Sequence, residues 1–283
     1  MTGRIWRCGD HALALGARTL VMGIVNVTPD SFSDGGMFDD AEEAVAHGAR
    51  LADEGADLVD VGGESTRPGA EPVPAAEERR RVLPVIEGLR AARPDTPVSI
   101  DTRHAAIATD ALAAGASVVN DISGGADDEM LPAVAKARAG LVLMHMRGEP
   151  ATMQDAPLYE DVVAEVHEYL RERVEAAIFA GVDPERLCVD PGIGFGKTVD
   201  HNLQLLRSIG TLRDLDAAVM AGASRKRFVG ALSGADDPRD RLEGSLAAAI
   251  LAAASGADIV RVHDVLATVR ALRVADAITR GSA

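Results

Sequence analysis

The stretch that decides the fold is residues 97–121, PVSIDTRHAAIATDALAAGASVVND. At its two ends lie short runs of apolar, β-branched residues, PVSID and SVVND, which are typical of buried strands. Between them lies AAIATDALAAG (105–115), which has helical composition and ends at Gly115, where a helix C-cap belongs. The stretch therefore predicts a strand, a helix and a second strand, and a helical crossover of this kind joins parallel strands.

The same unit recurs along the whole chain. We find eight apolar runs, each followed by a turn and then by a stretch with helical spacing. The runs are 19–26, 56–62, 97–101, 117–121, 140–145, 186–190, 217–222 and 257–263. Alternating strands and helices form either a large open doubly wound sheet or a closed (β/α)₈ barrel, and eight units favour the barrel.

Residues 4–16, RIWRCGDHALALG, precede the first run and read as a short β-hairpin. We expect this hairpin to plug the N-terminal mouth of the barrel. No low-complexity linker or change in composition divides the chain. The prediction is therefore one α/β domain over residues 1–283, with the hairpin in 1–18 and a single TIM barrel in 19–283.

Composition excludes several classes of protein. Lys and Arg number 29 against 44 Asp and Glu, and a formal net charge of −15 argues against general affinity for nucleic acid or anionic membrane. Cys8 and Cys188 form no CxxC pair, so neither a disulfide framework nor a cysteine zinc site is indicated. With no signal-peptide pattern and no apolar run near the roughly 18 residues of a membrane helix, we expect a cytoplasmic protein.

Nearly every predicted strand ends in a polar or ionisable residue. Catalytic groups of a (β/α)₈ barrel come from this rim, because only the C-terminal strand ends bring eight elements together. Asp and Asn at strand ends also cap helices, but capping would not supply His145, Lys226, Arg261 and His263 as well. The rim residues are Asn26, Glu64, Thr66, Arg67, Asp101, Asn120, Asp121, His145, Asp190, Ser224, Lys226, Arg261 and His263.

The rim residues contain two chemical groupings. Asp101, Asn120 and Asp190 form an acceptor group, suited to a flat amino-substituted heterocycle whose ring N–H and NH₂ groups donate. The second is a basic group that predicts a phosphate or pyrophosphate site, although an interfacial salt bridge is an alternative for Arg261. The basic group consists of Asn26, Arg67, Arg261 and His263, with Lys226 nearby.

Other site classes fit less well. DPGIGFGKT (190–198) differs from a P-loop because Pro191 stands where the first glycine is required. The first run ends in Asn-Val-Thr rather than the His-x-His of zinc hydrolase barrels. A hard cation such as Mg²⁺ beside pyrophosphate, held partly by Asn26 and by water, is the metal we expect. Two long loops, 26–38 and 62–74, have the composition of lids over the rim.

Taken together, the motifs resemble those of the dihydropteroate synthase family. They are VMGIVNVTPDSFSDGG, DVGGESTRPGA, SIDT, NDISGG, LVLMHMRG, DPGIGFGKT, GASRKRFVG and RVHDV, in this order over residues 21–265. The resemblance implies a TIM barrel, usually a homodimer. It also implies synthesis of dihydropteroate from 6-hydroxymethyl-7,8-dihydropterin pyrophosphate and p-aminobenzoate in folate biosynthesis, with sulfonamides as competitors.

The resemblance also assigns residues. It implies that Asp101, Asn120, Asp190 and Lys226 bind the pterin, while Asn26, Arg67, Arg261 and His263 hold the pyrophosphate, with Mg²⁺ at Asn26. It places Thr66, Pro68, Phe195 and Lys226 around p-aminobenzoate, Met144 among the substrate contacts, and Asp34 near the reacting methylene. Asp101, Asp190, Lys226 and Asp34 are thereby the expected catalytic residues. One position departs from the pattern, because many members carry a small hydroxyl residue where this chain has Arg227.

Three other functions are compatible with a barrel of this kind. A pterin-dependent methyltransferase would use the acceptor group but has no need for the basic group. A non-catalytic pterin-binding paralogue would need no catalytic residues, yet every motif residue is present. A metal-dependent hydrolase lacks its His-x-His motif.

Overall fold

Eight parallel strands form the centre of the molecule. The structure is a computed structural model that describes residues 4–27, 37–64, 73–148, 152–154 and 157–281, without the side chains of 37–40. The barrel strands are β3 (Leu20–Asn26), β4 (Leu58–Gly62), β5 (Val98–Asp101), β6 (Val118–Asp121), β7 (Gly140–Met144), β8 (Leu187–Asp190), β9 (Ala218–Ala221) and β10 (Ile259–Val262). They pair in chain order, and β10 pairs with β3, so the predicted closed barrel is confirmed over an open sheet.

Helices surround the barrel. Among the described residues they are α1 (Met37–Asp53), α2 (Ala75–Ala92), α3 (Ala105–Ala113), α4 (Met130–Ala137), α5 (Val162–Phe179), α6 (Val199–Arg207), α7 (Arg227–Ser233), α8 (Leu242–Ala254) and α9 (Val265–Arg280). The stretch from α7 to α8 lies between β9 and β10, so this crossover contains two helices. Gly115 ends the α3 turn with φ of 108°, a conformation that residues with a Cβ rarely adopt.

Alternation along each strand separates two apolar cores. Val119, Leu141 and Val189 face outward and pack with the helices. Their neighbours Val118 and Cys188 belong to a second cluster inside the barrel. Because side chains alternate along a strand, residues two positions beyond the inward ones also face the barrel axis. On β6 and β8 these are Asn120 and Asp190, which places polar groups at the C-terminal end of the barrel interior.

The N-terminal hairpin closes the other end of the barrel. It consists of β1 (Ile5–Cys8) and β2 (His11–Ala14), which pair antiparallel. Trp6 is fully buried among interior residues such as Met22 and Leu58. Its indole N–H donates to the carbonyl of Arg186 at 3.0 Å. The predicted hairpin and its position at the N-terminal mouth of the barrel are confirmed. The hairpin shields the apolar residues in the N-terminal half of the barrel interior from water.

We expect Trp6→Ala to lower the free energy of unfolding by about 3–5 kcal/mol, because it leaves a cavity at a fully buried aromatic site. Trp6→Phe should have a smaller effect, since it keeps most of the buried area and loses the hydrogen bond to Arg186. Urea unfolding followed by circular dichroism measures both variants. Leu13→Ala, a half-buried change on the same hairpin, is the control. A Trp6→Ala variant within about 1 kcal/mol of wild type would mean that the hairpin is not docked in solution.

Candidate active site

A buried network of charges crosses the C-terminal half of the barrel. Arg261 of β10 donates from Nε to Asp60 Oδ2 at 2.6 Å and from a terminal nitrogen to Asp101 Oδ2 at 2.6 Å. Asn120 donates from Nδ2 to the same Asp60 oxygen at 3.0 Å. We call Asp60, Asp101, Asn120 and Arg261 the carboxylate network. It joins β4, β5, β6 and β10 through side chains alone.

Asp60 was missed by the sequence analysis. It lies within the apolar run LVDVG rather than at the end of a strand, and its side chain is fully buried. The signal was its spacing, because Asp60 follows Leu58 by two residues and therefore faces the barrel axis. Its second oxygen, Oδ1, has no hydrogen-bond partner among the described residues. A buried carboxylate oxygen without a donor is unfavourable, which leaves an acceptor for a ligand.

The structure places Arg261 against the carboxylates rather than within a separate basic cluster. Both of its ion pairs join barrel strands. The Arg261 side chain as a whole is 20% exposed. The expected role of Arg261 in holding an anion stays a prediction.

Asp190 and Lys226 lie beside this network. Asp190 accepts a hydrogen bond from the Gly192 N–H at 2.7 Å, in the turn after β8. Lys226, directly before α7, donates to the carbonyl of Ile193, and its ammonium lies 4.4 Å from the centre of the Phe195 ring. A Cβ built at Gly222 would lie 3.6 Å from Asp190 Oδ2 and 3.9 Å from Lys226 Nζ. The predicted residues Asp190, Phe195 and Lys226 are thus brought together.

Burial shifts the pKa values of Asp101, Asp190 and Lys226 toward neutrality. It raises the pKa of Asp101 to about 7, although the Arg261 guanidinium opposes the shift. It lowers the pKa of Lys226 to about 8, with Asp190 opposing. The pKa of Asp190 is raised, again by burial and against the pull of Lys226. Such shifts in a cluster of acids and bases are typical of functional sites.

Two further predicted residues occupy the same end of the barrel. Met144 is buried at the end of β7 and pairs in register with Asp190. Asn26 ends β3 beside a cavity of about 490 Å³. The cavity is lined by Ile24, Asn26, Glu43, Ala46, His47, Arg50, Arg225 and His263. Two arginines and two histidines line it together with one carboxylate, Glu43, so the lining carries more basic than acidic groups although the chain has a negative net charge.

The rim continues from this cavity to β9. Ser224 Oγ and His263 Nδ1 lie 3.0 Å apart. Arg225 is paired with Asp264, with Nε 2.9 Å from Oδ2. His47 and Arg50 of α1 were not predicted, because nothing in the sequence indicates which face of a helix borders the rim. Four predicted residues, Asp34, Thr66, Arg67 and Pro68, lie outside the described residues.

His145, predicted as a rim residue, is held in a buried dyad with Lys197. Lys197 Nζ lies 2.9 Å from His145 Nδ1 and donates to the carbonyl of Phe195 at 2.9 Å. The His145 ring also packs edge-on against Tyr169, with centroids 4.9 Å apart. Burial and the Lys197 charge lower the pKa of His145 to about 3. His145 is therefore a neutral acceptor that fixes Lys197, and Lys197 in turn holds the backbone of Phe195.

Comparisons with known proteins agree with this geometry. The family model described as "Pterin binding enzyme" matches residues 22–263. The dihydropteroate synthase of Synechocystis is 46% identical over 273 residues, covering 96% of this chain and 94% of that protein. This chain belongs to the dihydropteroate synthase family. The dihydropteroate synthase of Mycobacterium leprae is 48% identical, over 91% of this chain and 92% of that protein.

Solved members of the family have the same fold. The Xanthomonas albilineans dihydropteroate synthase with 4-aminobenzoic acid is 53% identical and covers 98% of both chains, with a TM-score of 0.92. The same enzyme in complex with 7,8-dihydropteroate gives a TM-score of 0.88 at 50% identity, covering 97% of this chain and 98% of that one. The Yersinia pestis enzyme with a sulfonamide drug complex has a TM-score of 0.88 and is 43% identical. The match covers 94% of this chain and 96% of that one. The resemblance stated from the motifs is confirmed, and the chain is a transferase of this family.

Two kinds of feature are absent from the described residues. They contain no helix that is both long and apolar enough to cross a membrane. Nor do they bring three or more His, Cys, Asp or Glu side chains together in an arrangement that could hold a metal ion.

The low pKa of His145 predicts a pH dependence of stability. An unfolded histidine has a pKa of about 6.5, so between that pH and about 3 the unfolded chain binds a proton that the folded chain does not. The free energy of unfolding should therefore fall as the pH falls below about 6.5. His145→Gln keeps an acceptor for Lys197 and removes this contribution.

We expect the unfolding free energy of His145→Gln to decrease less than that of wild type between pH 7 and pH 5. Asp101, whose pKa is raised, contributes in the opposite direction, so the informative quantity is the difference between the two proteins. Urea titrations across this range measure it, with His11→Gln on the hairpin as the control. If the unfolding free energies of wild type and His145→Gln changed with pH by the same amount, the lowered pKa of His145 in the buried pair with Lys197 would be contradicted.

Proposed function

We propose that this chain condenses 6-hydroxymethyl-7,8-dihydropterin pyrophosphate with p-aminobenzoate, releasing pyrophosphate and 7,8-dihydropteroate in folate biosynthesis. The observation that carries the proposal is the carboxylate network beside Asp190 and Lys226 at the C-terminal end of the barrel. Family membership supports the reaction class, and relatives solved with 4-aminobenzoic acid and with 7,8-dihydropteroate support the substrates.

The acceptor group is suited to the pterin. A pterin presents ring N–H and NH₂ donors along one edge, and carboxylate oxygens accept from such an edge with charge-assisted hydrogen bonds. Asp101, Asn120 and Asp190 supply the acceptors and Lys226 a donor. Asp60 Oδ1, which has no hydrogen-bond partner in the described part of the chain, adds an acceptor deep in the barrel, so we include Asp60 among the pterin-binding residues.

The p-aminobenzoate site lies on the Lys226 side of the pterin in this proposal. Phe195 and Lys226 form one wall, and their cation–π contact fixes the ring that a flat aromatic acid would meet. Thr66 and Pro68 are also proposed to flank p-aminobenzoate. Arg227 follows Lys226 as the exposed first residue of α7. A sulfonamide is bound by the Yersinia pestis relative, and we propose that sulfonamides compete with p-aminobenzoate here.

The proposed mechanism is a dissociative substitution. The bond between the pterin methylene carbon and the pyrophosphate oxygen breaks first, and its electron pair leaves with the pyrophosphate. The methylene then carries positive charge, which the buried carboxylates of Asp101 and Asp190 stabilise. The arylamine nitrogen attacks this carbon to form the new C–N bond, and the protonated amine that results loses its proton to solvent. Because the arylamine is neutral at pH 7, no strong general base is required.

Basic residues at the rim would receive the leaving pyrophosphate. Arg261 and His263, together with Arg67, are proposed to hold it, since guanidinium groups match phosphate oxygens bidentately. Asp34 is proposed to approach the reacting methylene from the first loop. Closure of the two long loops would exclude water, which otherwise captures the cation.

A Mg²⁺ ion is part of the proposal, and the donor set fits it. Mg²⁺ prefers oxygen ligands, keeps several waters and is often held by one or two protein groups plus substrate phosphates. Asn26 offers one amide oxygen at the end of β3, beside the cavity of about 490 Å³. Bound there, the ion would neutralise charge on the pyrophosphate and assist its departure.

We also propose that the protein is a cytoplasmic homodimer. Two buried free thiols, Cys8 and Cys188, are consistent with a reducing compartment. Exposed Leu251 of α8 and Val274 and Ile278 of α9 lie on neighbouring helices and support a second copy as their partner. Sedimentation equilibrium of the purified protein tests the dimer, and a monomer at micromolar concentration would contradict it.

The reaction is tested by supplying the pterin pyrophosphate and Mg²⁺, with and without p-aminobenzoate. We expect pyrophosphate release that depends on p-aminobenzoate, and a product with the mass of dihydropteroate. Binding of the pterin without release would instead indicate a binding paralogue or a methyltransferase relative.

In the same assay, Lys226→Ala and Asp190→Asn should each lower turnover at least about 100-fold, because each removes a charge facing the reacting group. Asp190→Asn keeps an acceptor for the Gly192 N–H, so the local turn should persist. Circular dichroism checks that both variants fold. Lys136→Ala, on the exposed face of α4, is the control and should be unaffected. Near-normal activity in either site variant would remove that residue from the mechanism.

Pterin binding should depend on pH through two groups. Asp101, with a pKa of about 7, accepts best when ionised, so affinity should rise between pH 6 and 8. Lys226, with a pKa of about 8, loses its charge above that pH, so affinity should then fall. Calorimetric titration with 6-hydroxymethylpterin, which carries no phosphate, measures the profile. The rise in affinity between pH 6 and 8 should be absent in Asp101→Asn. An unchanged profile in this variant would mean that ionisation of Asp101 does not cause the rise.

A further inference from the structure

The turn after β8 presents a row of backbone carbonyls, each of which accepts a hydrogen bond from a side chain. We call residues 192–197, GIGFGK, the glycine turn. The carbonyls of residues 193, 194, 195 and 196 are bound in succession. Their donors, in the same order, are Lys226, Gln154, Lys197 and Tyr159. The backbone that carries Phe195 is therefore held at its own carbonyl and at the carbonyls on both sides.

Close contact with the chain after β7 fixes the glycine turn against the barrel. Gly192 and Gly196 have φ of 68° and 62°. A Cβ at Gly192 would collide with the carbonyl oxygen of His145, and one at Gly196 would lie 2.5 Å from the carbonyl oxygen of Arg147. Only glycine permits both this backbone conformation and this approach. The glycine turn therefore packs directly on the backbone that leaves β7.

Lys197 connects Phe195 to that backbone. Its side chain is buried, with Nζ 2.9 Å from the Phe195 carbonyl oxygen and 2.9 Å from His145 Nδ1. The His145 carbonyl oxygen is a third acceptor, at 3.4 Å. An ammonium group has three N–H donors, so these three acceptors satisfy it. No donor remains for a substrate, and Lys197 can act on the reaction only through the residues that it holds.

The burial of Lys197 is unfavourable in itself. It lowers the pKa of Lys197 well below the usual value, although the charge of Asp190 opposes the shift. An apolar side chain of similar length would avoid the cost of removing an ammonium group from water. Such a side chain would leave the Phe195 carbonyl and His145 Nδ1 without this donor. The hydrogen bonds to Phe195 and His145 are therefore what a lysine contributes at this position.

We propose that Lys197 is a positioning residue, which sets where the Phe195 ring lies beside Lys226. The centre of that ring is 4.4 Å from the Lys226 ammonium. Phe195 and Lys226 form the wall assigned to p-aminobenzoate, so the role of Lys197 in catalysis rests on the proposed function. The acceptor group assigned to the pterin lies on barrel strands instead. Loss of Lys197 should therefore weaken the use of p-aminobenzoate far more than the binding of the pterin.

Two substitutions of Lys197 test the proposal. Lys197→Met keeps the length of the side chain and removes its donors, whereas Lys197→Gln keeps two N–H donors on a shorter side chain. We expect the KM for p-aminobenzoate to rise about tenfold in Lys197→Met and a few-fold in Lys197→Gln. The kcat at saturating p-aminobenzoate and the Kd for 6-hydroxymethylpterin should each change less than about twofold. Lys136→Met, the same substitution on the exposed face of α4, is the matched control.

The split between the two substrates decides the positioning role. A KM for p-aminobenzoate within about twofold of wild type in folded Lys197→Met would overturn it, as would equal losses for p-aminobenzoate and the pterin. Circular dichroism checks folding. If Lys197→Met does not fold, Lys197→Gln decides by the same comparison, and equal changes for both substrates would overturn the proposal.

A double variant tests whether His145 acts through Lys197. His145→Leu removes the ring acceptor of Lys197 and leaves the two carbonyl acceptors. We expect it to raise the KM for p-aminobenzoate less than Lys197→Met does. The double variant should have the KM of Lys197→Met alone, because the two residues act as one unit. Independent multiplication of the two effects would overturn this coupling.

A measurement without catalysis distinguishes this proposal from the proposed function. The Phe195 N–H donates to the Gly192 carbonyl at 3.0 Å, so its hydrogen exchange, followed by NMR, reports opening of the glycine turn. Exchange at Phe195 should be faster in Lys197→Met, while exchange at Gly115, which donates to the Leu112 carbonyl far along the chain, should not change.

The outcomes of the exchange measurement are separate from those of the assay. Wild type that forms no dihydropteroate would contradict the proposed function, and exchange at Phe195 would still decide whether Lys197 holds the glycine turn. Unchanged exchange at Phe195 would overturn that role whatever the activity. Equal acceleration at Phe195 and Gly115 would also overturn it, because it would indicate a general loss of stability.

Discussion

The position of the Arg261 guanidinium between Asp60 and Asp101 constrains the rest of the barrel interior. Placing charges in a protein interior is unfavourable unless each finds a partner at short distance, and both carboxylates do so at 2.6 Å. The network can exist only because strand register places β4, β5 and β10 side chains at compatible heights. The apolar lower half, closed by Trp6, supplies the dry environment that strengthens these contacts. Fold and site are therefore linked through desolvation.

The same desolvation changes the pKa values of the ionisable residues Asp101 and Lys226. In water, Asp101 would be fully ionised and Lys226 fully protonated at neutral pH, and each would be surrounded by solvent. Inside the barrel their pKa values move to about 7 and about 8, so both remain responsive to a bound ligand. A substitution in which a cation forms and an anion leaves needs fixed charges more than proton transfer. The arrangement of buried charges suits that demand.

The sequence predicted the strands well, because each buried strand is a nearly continuous apolar run and each polar residue after it marks the rim. It also placed Asp190, Lys226 and Phe195 at one end of the barrel, where the structure brings them together. Asp60 was missed because its significance depends on which face of the strand is inward. The contacts of Arg261 depend on strand register, and the partnership of His145 with Lys197 depends on how the turn after β8 folds back. Local patterns do not specify such contacts between distant segments.

A residue without a side chain lies beside Asp190 and Lys226. Gly222 follows β9, between the strands that carry Asp190 and Arg261. A methyl group at this position would lie 3.6 Å from Asp190 Oδ2 and 3.9 Å from both Lys226 Nζ and Arg261 Cβ. It would therefore fill the space that these three groups share. The other rim positions supply charged and polar groups, whereas Gly222 leaves the space between three of them open.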